Sequence, residues 1–378
     1  MSVEIEGIDL KDGNGQPSVE ERYYMASQWT LMWRKFKKHR LAVVSTVLLG
    51  LMYFVSLTHE FWAPYEKSFQ HQDFLSAPPT RIHIFDSDGV FRGPFVYALK
   101  GEIDFKTFKR VYTEDVSKVF PLRLFYRGHP YWFWGVFSSD FHLFGSDEGV
   151  IFLFGTDKLG RDMFSRVLAG SRVSLSIGLV GVLISFILGC ILGGISGYFG
   201  GSIDLVIQRT IEILISVPTI PLWMVLSAAV PANWSTIEVY FAITLILSII
   251  SWPGLARVVR GKLLELREYD FAMAARISGA SDIRVIFDHL LPNFMSYLIV
   301  HLTLAIPYMI LAETALSFLA LGIRPPSVSW GTLMQGAQNI VSITIHPWML
   351  IPGLFVIFVV LLFNFVGDGL RDAADPYK

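Results

Sequence analysis

Several residue patterns approach known chemical sites, but each lacks a member that the chemistry requires. Gly261 and Lys262 end like a phosphate-binding loop, yet the upstream glycine and the following Ser or Thr are missing. No HExxH zinc motif occurs, and FVGDG around Asp368 lacks the first glycine of a GxGD protease pattern. Asp86 and Asp88 resemble the opening of a calcium loop without its remaining ligands, which favours a turn. The sequence therefore predicts no catalytic residue, no metal site and no ATP site.

Polar residues inside apolar runs form a second set of candidates, because ionisable groups are expensive in a membrane and often functional. Glu313 lies in AETALSF near the predicted outer end of a run, where helix packing, gating and an interfacial position are all open. We expect His301 and Asn364 to bond neighbouring helices, with a substrate or pore contact as the alternative. Glu212, at the predicted inner end of its run, is expected to be structural.

Six apolar runs would position these residues. The chain has 378 residues, of which 53% are hydrophobic and only 17% charged, whereas a soluble domain carries about a quarter charged residues. Each run can cross a bilayer, and only a helix satisfies its own backbone polar groups there. Prolines 218, 221 and 307 are expected to kink their helices. The predicted spans lie near 41–58, 173–195, 212–232, 237–256, 294–318 and 347–367.

The distribution of Lys and Arg predicts the orientation of these spans. A basic cluster, WRKFKKHR, precedes the first span, and the segment between spans four and five is also rich in arginine. The segment between spans three and four has no Lys or Arg, and the next external segment has only Arg324. Because short cytoplasmic loops are the basic ones, both termini are predicted to be cytoplasmic. Residues 1–40 would be a polar tail followed by an amphipathic, basic helix at the membrane surface.

The segment 59–155 is long, aromatic and predicted to be external. RIHIFDSDGVFRGPFVYAL is typical of two extended runs about a turn, and further short runs follow it. The fold predicted is therefore an all-α membrane protein of six transmembrane helices, with a small β-rich external insertion between helices 1 and 2.

The segment 266–293, LREYDFAMAARISGASDIRVIFDHLLPN, is too polar to enter the bilayer and too apolar for a solvated loop. Ser281 is expected to cap a short helix that Pro292 ends. That helix would carry one apolar face, formed by Ile283, Ile286, Phe287 and Leu290. Such a helix favours docking into the groove of a partner, and packing on the membrane surface is the alternative.

Part of this segment resembles the EAA loop of bacterial ABC-importer permeases. The matching residues are Ala274-Ala275, Gly279 and Leu291-Pro292, whereas Met273 stands where the family usually has Glu. In that family the loop is the coupling helix that docks on the ATPase subunit. The resemblance implies the coupling residues Phe271, Met273, Ala274, Ala275, Gly279, Ala280, Ser281, Asp282, Leu291 and Pro292.

Three further stretches extend the resemblance to the C-type permease subunit of dipeptide and oligopeptide transporters. They are GISGYFGGSIDLVIQR, AETALSFLALGIRPPSVSWGTLM followed by FNFVGDGLRDAADP, and FGTDKLGRDMFSRVLAGSRVSL. The permease core would then be 156–378, and the glycines of the first stretch would form a tight turn. The third stretch supplies a family motif before helix 2, at Gly155, Thr156, Asp157, Gly160, Arg161 and Asp162.

The resemblance also implies the partners and the mechanism. A homologous second permease would complete the pore, two ATPase subunits would bind ATP and Mg, and a solute-binding protein would dock outside, against the insertion. Membrane lipids would surround the spans, and no nucleic acid is implied. The chain itself would hold no cofactor in the cytoplasmic membrane. Peptides are the expected solute, oligosaccharides or other peptide-sized solutes are the alternative, and an energy-independent channel or receptor is the alternative of a different class.

Overall fold

The computed structural model describes residues 28–105 and 109–375 as a bundle of helices with a β-stranded module at one end. A π-helical turn at Val285–Leu290 and a 3-10 turn at Leu291–Phe294 connect α9 to α10, and further 3-10 turns lie at Gln335–Ala337 and Pro347–Leu350. The helices are α1 (Gln28–Lys38), α2 (Arg40–Leu57), α3 (His59–Trp62), α4 (Met163–Phe199), α5 (Gly201–Ser216), α6 (Thr219–Ala228), α7 (Thr236–Leu266), α8 (Asp270–Ile277), α9 (Asp282–Arg284), α10 (Met295–Phe318), α11 (Trp330–Met334), α12 (Ile340–Ile345) and α13 (Ile351–Ala374).

Within residues 28–105 and 109–375, five stretches of helix, containing α2, α4, α7, α10 and α13, are long and apolar enough to cross a membrane. A sixth crossing would consist of α5 and α6, which are bent by 88° relative to each other. The third span, predicted near 212–232, is therefore not one continuous helix. The break lies at Val217 and Pro218, whose backbones are extended. The kink expected from Pro218 is confirmed, because proline disfavours the helical conformation of the residue before it.

Helices α4 and α7 pack together along much of their length. At Gly193 an added Cβ would lie 2.5 Å from the carbonyl oxygen of Ala256, and at Gly197 it would lie 2.6 Å from that of Arg260. Real side chains do not tolerate such distances. The two backbones can therefore approach each other only because these positions of α4 carry no side chain.

The tight turn predicted from the glycine-rich stretch is shorter than expected. Gly194 and Gly197 lie inside α4, so their assignment to the turn is wrong. Gly200 and Gly201 do form the turn into α5, with φ of 67° and 58°. These positive angles lie in the left-handed region, which favours glycine.

The β-rich insertion is confirmed. It comprises the strands β1 (His83–Phe85), β2 (Phe91–Asp104), β3 (Lys109–Pro121), β4 (Arg123–Phe133) and β5 (Phe137–Gly145). The first three form an antiparallel sheet in the order β1-β2-β3, and β4 pairs with β5 in a separate hairpin. The turn predicted at Asp86 is also confirmed, since its carboxylate accepts hydrogen bonds from the backbone N–H groups of Asp88 (3.0 Å) and Val90 (2.9 Å).

Helix α1 has the predicted amphipathic character. Trp29 and Trp33 are exposed, whereas Met32 and Phe36 are buried. Lys35 Nζ donates to the carbonyl oxygen of Asp375 at 2.8 Å, so α1 lies beside the end of α13. We call this end of the bundle the α1 side and the opposite end, which carries the strands, the module side.

Candidate functional site

The candidate site is the linker segment, residues 267–294, which joins α7 to α10 on the α1 side. Its helix α8 ends in a Schellman motif. The N–H of Ala280 donates to the carbonyl of Ala275 at 3.1 Å, and the N–H of Gly279 donates to that of Arg276 at 3.0 Å. Gly279 has a φ of 82° and open space where a Cβ would stand. This glycine is therefore required by the backbone turn and not by crowding.

Three expectations for the second half of the linker segment are wrong. Ser281 precedes α9, but its side chain makes no capping hydrogen bond. The predicted apolar face is split, because Ile283 and Phe287 are exposed while Val285 is buried with Ile286 and Leu290. The π-helical turn at Val285–Leu290 explains the difference, since its wider turn rotates later side chains away from their α-helical positions. Pro292 lies in the 3-10 turn that leads directly into α10, so it does not end the helical run as predicted.

Polar contacts hold the linker segment against the end of α4. Tyr198 Oη donates to Asp282 Oδ1 at 2.6 Å, and the guanidinium of Arg276 lies 4.8 Å from the centre of the Tyr198 ring. Arg267 Nη1 donates to the carbonyl oxygens of Gly197 and Tyr198 at 3.2 and 3.1 Å. The segment therefore moves together with α4 rather than as a free loop.

Apolar packing supports the same attachment. Ala272, Val285, Leu290 and Leu291 are buried in one cluster that also contains Leu263 of α7. Each of the first three is fully inaccessible to solvent. Burial of this kind contributes about 0.8 kcal/mol per methylene group, which favours one fixed position for the segment.

The opposite face of α8 leaves apolar side chains uncovered. Phe271 and Met273 are 36% and 44% exposed, and Ile277 is 88% exposed. Tyr269 at the start of the helix is also exposed. Large apolar side chains gathered on a rigid, solvated element mark a surface for a partner. Of the other predicted coupling residues, Ala274, Gly279, Ser281, Asp282 and Pro292 are exposed, Ala275 and Ala280 are half-buried, and Leu291 is buried.

The motif predicted before helix 2 forms a compact turn on the module side. Asp157 accepts a hydrogen bond from Arg161 Nε at 2.8 Å, and Arg166 forms an ion pair with the same carboxylate. Thr156 Oγ1 donates to the carbonyl of Phe74 at 2.6 Å. Gly155 and Gly160 have positive φ angles of 71° and 73°. This turn connects the β-stranded module to the first turn of α4.

Asp162 caps α4, and its environment is unusual for a carboxyl group. Its Oδ2 accepts hydrogen bonds from the backbone N–H of Ser165 at 2.7 Å and from Ser165 Oγ at 2.6 Å. Its Oδ1 is buried with no hydrogen-bond partner among residues 28–105 and 109–375. Burial raises the pKa of Asp162 to about 7, against the lowering effect of these hydrogen bonds and of Arg166.

Glu313 lies in a buried polar cluster. Its carboxylate accepts hydrogen bonds from Ser174 Oγ of α4 at 3.0 Å and from Ser317 Oγ at 2.6 Å. Ser174 in turn accepts from the backbone N–H of Trp330 at 3.1 Å, which joins α11 to the cluster. Glu313 is 0% exposed, which favours the helix-packing alternative, and a gating role stays a prediction. The contacts are those of helix packing between α4, α10 and α11.

His301 and Asn364 occupy different environments. His301 lines a cavity of about 400 Å³ between α4, α7 and α10, and also a cavity of about 1080 Å³ on the α1 side. Its ring stacks on Tyr297, which precedes it by one helical turn, so the predicted bond to another helix is not what positions it. Asn364 is exposed on α13, and across the described ranges its side chain makes no hydrogen bond to a neighbouring helix. Glu212 pairs with Arg209 at 2.7 Å on exposed α5.

Sequence reasoning missed the residues that fix and extend the candidate site. In the sequence, Tyr198 is one residue of a glycine-rich stretch, and Arg267 and Arg276 are two of several positive charges, so no pattern marks any of them as a contact residue. Ile277 completes the exposed apolar face of α8 but lies outside the residues that the resemblance supplied. The sequence gives no signal for Ile277, because a single isoleucine can be buried or exposed.

Helices long and apolar enough to cross a membrane, together with the exposed apolar face of α8, are typical of a membrane protein that has a surface for a partner. The family of the chain identifies the kind of membrane protein. The chain belongs to the family of binding-protein-dependent transport system inner membrane components, whose model matches residues 185–377. A second model, the N-terminal TM domain of oligopeptide transport permease C, matches residues 27–79.

Individual permease proteins are also similar to this chain. The chain is 42% identical over 225 residues to the dipeptide transport system permease protein DppC of Bacillus subtilis, covering 59% of this chain and 68% of the relative. It is 31% identical over 347 residues to DppC of Lactococcus lactis, covering 91% and 89%. Among solved structures, an inward-facing MetNI methionine ABC transporter matches with 20% identity and a TM-score of 0.44, covering 56% of this chain and 97% of that chain.

Membership of the family settles the general class of the protein. It is a transport component, a multi-pass protein of the inner membrane. Transport systems of this family work with an ATPase and a binding protein, so the chain acts with partners of these kinds.

Proposed function

We propose that this chain is the permease subunit of an ABC importer that moves peptides across the inner membrane by alternating access. The relatives named as dipeptide and oligopeptide permeases support peptides as the solute. The cavity of about 400 Å³ beside His301 is the part of the pathway that this subunit contributes. A homologous second permease supplies the remaining wall of the pore.

The α1 side faces the cytoplasm in this proposal, so both termini are cytoplasmic. Two ATPase subunits, which bind ATP and Mg, dock below the two permeases. A solute-binding protein docks on the module side and contacts the β-stranded insertion. The basic side chains of α1 and of the linker segment support this orientation, because short cytoplasmic segments of membrane proteins are rich in Lys and Arg. The chain has no ATPase site of its own.

The observation that carries the proposal is the construction of the linker segment. It exposes Phe271, Met273 and Ile277 on one face, while Tyr198 and Asp282 fix its other face to α4. A segment that is free on one face and fastened on the other can pass a movement of a partner to the membrane helices. Because ATP binding must favour one pore state over the other, the segment acts as the lever that transmits this difference.

The test compares Gly279→Leu with Gly89→Leu. Both glycines have similar positive φ angles, 82° and 78°, and open space beyond the Cα. Each substitution should therefore cost a similar backbone strain of about 1 kcal/mol. Only Gly279 lies in the segment that docks on the ATPase, so only Gly279→Leu should separate ATP hydrolysis from uptake.

The measurement uses the full importer in proteoliposomes, with its binding protein and either a labelled dipeptide or a labelled oligosaccharide. We expect Gly279→Leu to lower peptide uptake per ATP hydrolysed by about tenfold, a coupling free energy of about 1.4 kcal/mol. Gly89→Leu should leave this ratio unchanged. Full uptake by Gly279→Leu, or solute flux without any ATPase subunit, would contradict the coupling role. Uptake of the oligosaccharide alone would contradict the peptide assignment and leave the coupling role intact.

A further inference from the structure

The tip of the β4–β5 hairpin is aromatic, and none of its own residues carries a formal charge. No Asp, Glu, Lys or Arg occurs between Arg127 and Asp140. Four large apolar side chains at the tip are mostly exposed, namely Trp132 (65%), Trp134 (57%), Val136 (64%) and Phe137 (70%). A soluble surface rarely gathers such side chains without a partner.

The structure fixes the position of this tip relative to the first membrane span. Trp134 Nε1 donates to the carbonyl oxygen of Leu57 at 3.0 Å, and Leu57 is the last residue of α2. The guanidinium of Arg172 lies 5.1 Å from the centre of the Trp134 ring and donates to the same carbonyl at 3.1 Å. Trp134 reaches this position with a φ of 55°, a left-handed conformation that is uncommon for a bulky residue. The hairpin therefore meets the bundle at the very end of a span.

The length of α2 places that end at the boundary of the bilayer. The helix has 18 residues, so it is about 27 Å long and just crosses the hydrocarbon core. Its exposed stripe of Val47, Leu51, Phe54 and Leu57 leads to the hairpin tip. Arg172 forms a charged pair with Glu60 at this junction. At the other end, Trp29 and Trp33 of α1 are exposed beside the basic cluster. Tryptophan favours both interfaces of a membrane, and the two sets of side chains are separated by this one span.

We infer that the β4–β5 hairpin tip inserts into the outer headgroup region of the membrane and anchors the β-stranded module to the lipid. The lipid explains why the hairpin tip carries no charged residue of its own and why it adjoins the end of α2, whereas a docked protein would require neither. The guanidinium of Arg172 at this junction suits the polar headgroup region. Tryptophan suits this location because it presents an apolar ring together with an N–H that needs a polar partner. The anchor would hold the module at a fixed height beside the entrance of the bundle.

The test uses spin labels, because Cys190 is the chain's only cysteine and is buried. Single cysteines are introduced by Val136→Cys at the hairpin tip and by Val116→Cys in β3. The two valines are matched, since they are 64% and 57% exposed and both belong to the module. Val116 lies next to Asp115, whose carboxylate bonds Ser117, in a polar stretch. Val47→Cys on α2 serves as the lipid-facing reference, and unmodified protein gives the Cys190 background.

The labelled full-length chain, with its co-purifying subunits, is reconstituted in vesicles of phosphatidylethanolamine and phosphatidylglycerol. Accessibility to oxygen, which concentrates in lipid, is compared with accessibility to a water-soluble nickel chelate. We expect the label at position 136 to favour oxygen, as at position 47, and the label at position 116 to favour nickel. Equal preference for nickel at positions 136 and 116 would overturn the inference. Low accessibility to both reagents at position 136 would overturn it as well, since protein would then cover the tip.

Discussion

The two ends of helix α4 are built in different ways. On the α1 side the helix approaches α7 through glycines, and at Gly193 and Gly197 there is no room for a side chain. On the module side it is held by side chains. Asp162 caps it, Arg166 pairs with Asp157, and Arg172 donates to Glu60 Oε1 at 2.9 Å.

This difference bears on how a movement could be transmitted. Two backbones in direct contact leave little freedom to slide, so the α1-side end should respond as a rigid unit when the linker segment is displaced. The module-side end depends on caps and ion pairs, whose strength varies with protonation. We therefore expect substitutions at the two ends to differ in size and in their dependence on pH.

The largest effect should come from the backbone contact at Gly193. Gly193→Val would place a branched side chain where a Cβ already lies 2.5 Å from the Ala256 carbonyl oxygen. The helices would have to separate, at a cost of about 3 kcal/mol. Gly261→Val is the matched control, because Gly261 on α7 has nothing within 4 Å of an added Cβ. Thermal unfolding in detergent, followed by tryptophan fluorescence, should show a large decrease in the unfolding midpoint for Gly193→Val only. Equal midpoints for the two variants would contradict a rigid contact between α4 and α7.

An intermediate effect, and one that depends on pH, is expected at Asp162. Its folded-state pKa of about 7 lies above the unfolded value of about 3.9. The stability that this group contributes is therefore fully present below about pH 4 and is lost as the pH rises to 7. Asp162→Asn removes the titration and keeps an oxygen for the cap. Its thermal midpoint relative to the unmodified protein should thus rise between pH 4 and pH 7.

Asp86 provides a control of opposite sign on the same side of the bundle. The backbone N–H of Val90, followed by Arg92, lowers the pKa of Asp86. Its contribution is present above the unfolded pKa and is lost only as the pH falls below about 4. The difference between Asp86→Asn and the unmodified protein should therefore be constant from pH 5 to pH 7. A parallel rise for both variants would show that the pH dependence does not come from the buried carboxyl group.

The sequence predicted those features that depend on neighbouring residues. Apolar runs indicated the spans, because a helix in lipid must satisfy its own backbone. The aspartate at position 86 marked a turn whose hydrogen bonds close within five residues. Proline 218 indicated the break in the third span, whereas the 88° angle depends on how α5 and α6 pack and has no local signal.

Contacts between residues that are far apart in the sequence could not be predicted from local patterns. Tyr198 and Asp282 are 84 positions apart, and nothing near either residue indicates their hydrogen bond. The apolar face that begins at α9 was predicted with the α-helical period. The π-helical turn at Val285–Leu290 follows a different period, so Phe287 is exposed and Val285 is buried. Tertiary packing determines both features, so the first has no local signal and the second contradicts the local pattern.

The smallest effect should come from the single hydrogen bond between Tyr198 and Asp282. Tyr198→Phe removes the hydroxyl and keeps the ring over which Arg276 lies, so the linker segment should loosen without leaving its place. We expect a loss of about 1 kcal/mol in stability and a smaller loss of uptake per ATP than for Gly279→Leu. A double-mutant cycle with Asp282→Ala, which removes the acceptor, isolates this bond, because both single variants and the double variant should then lose nearly the same amount. Additive losses would instead mean that the two residues act separately, and that Arg267, the contact of Arg276 with the Tyr198 ring and the apolar cluster connect the α1-side end of α4 to the linker segment.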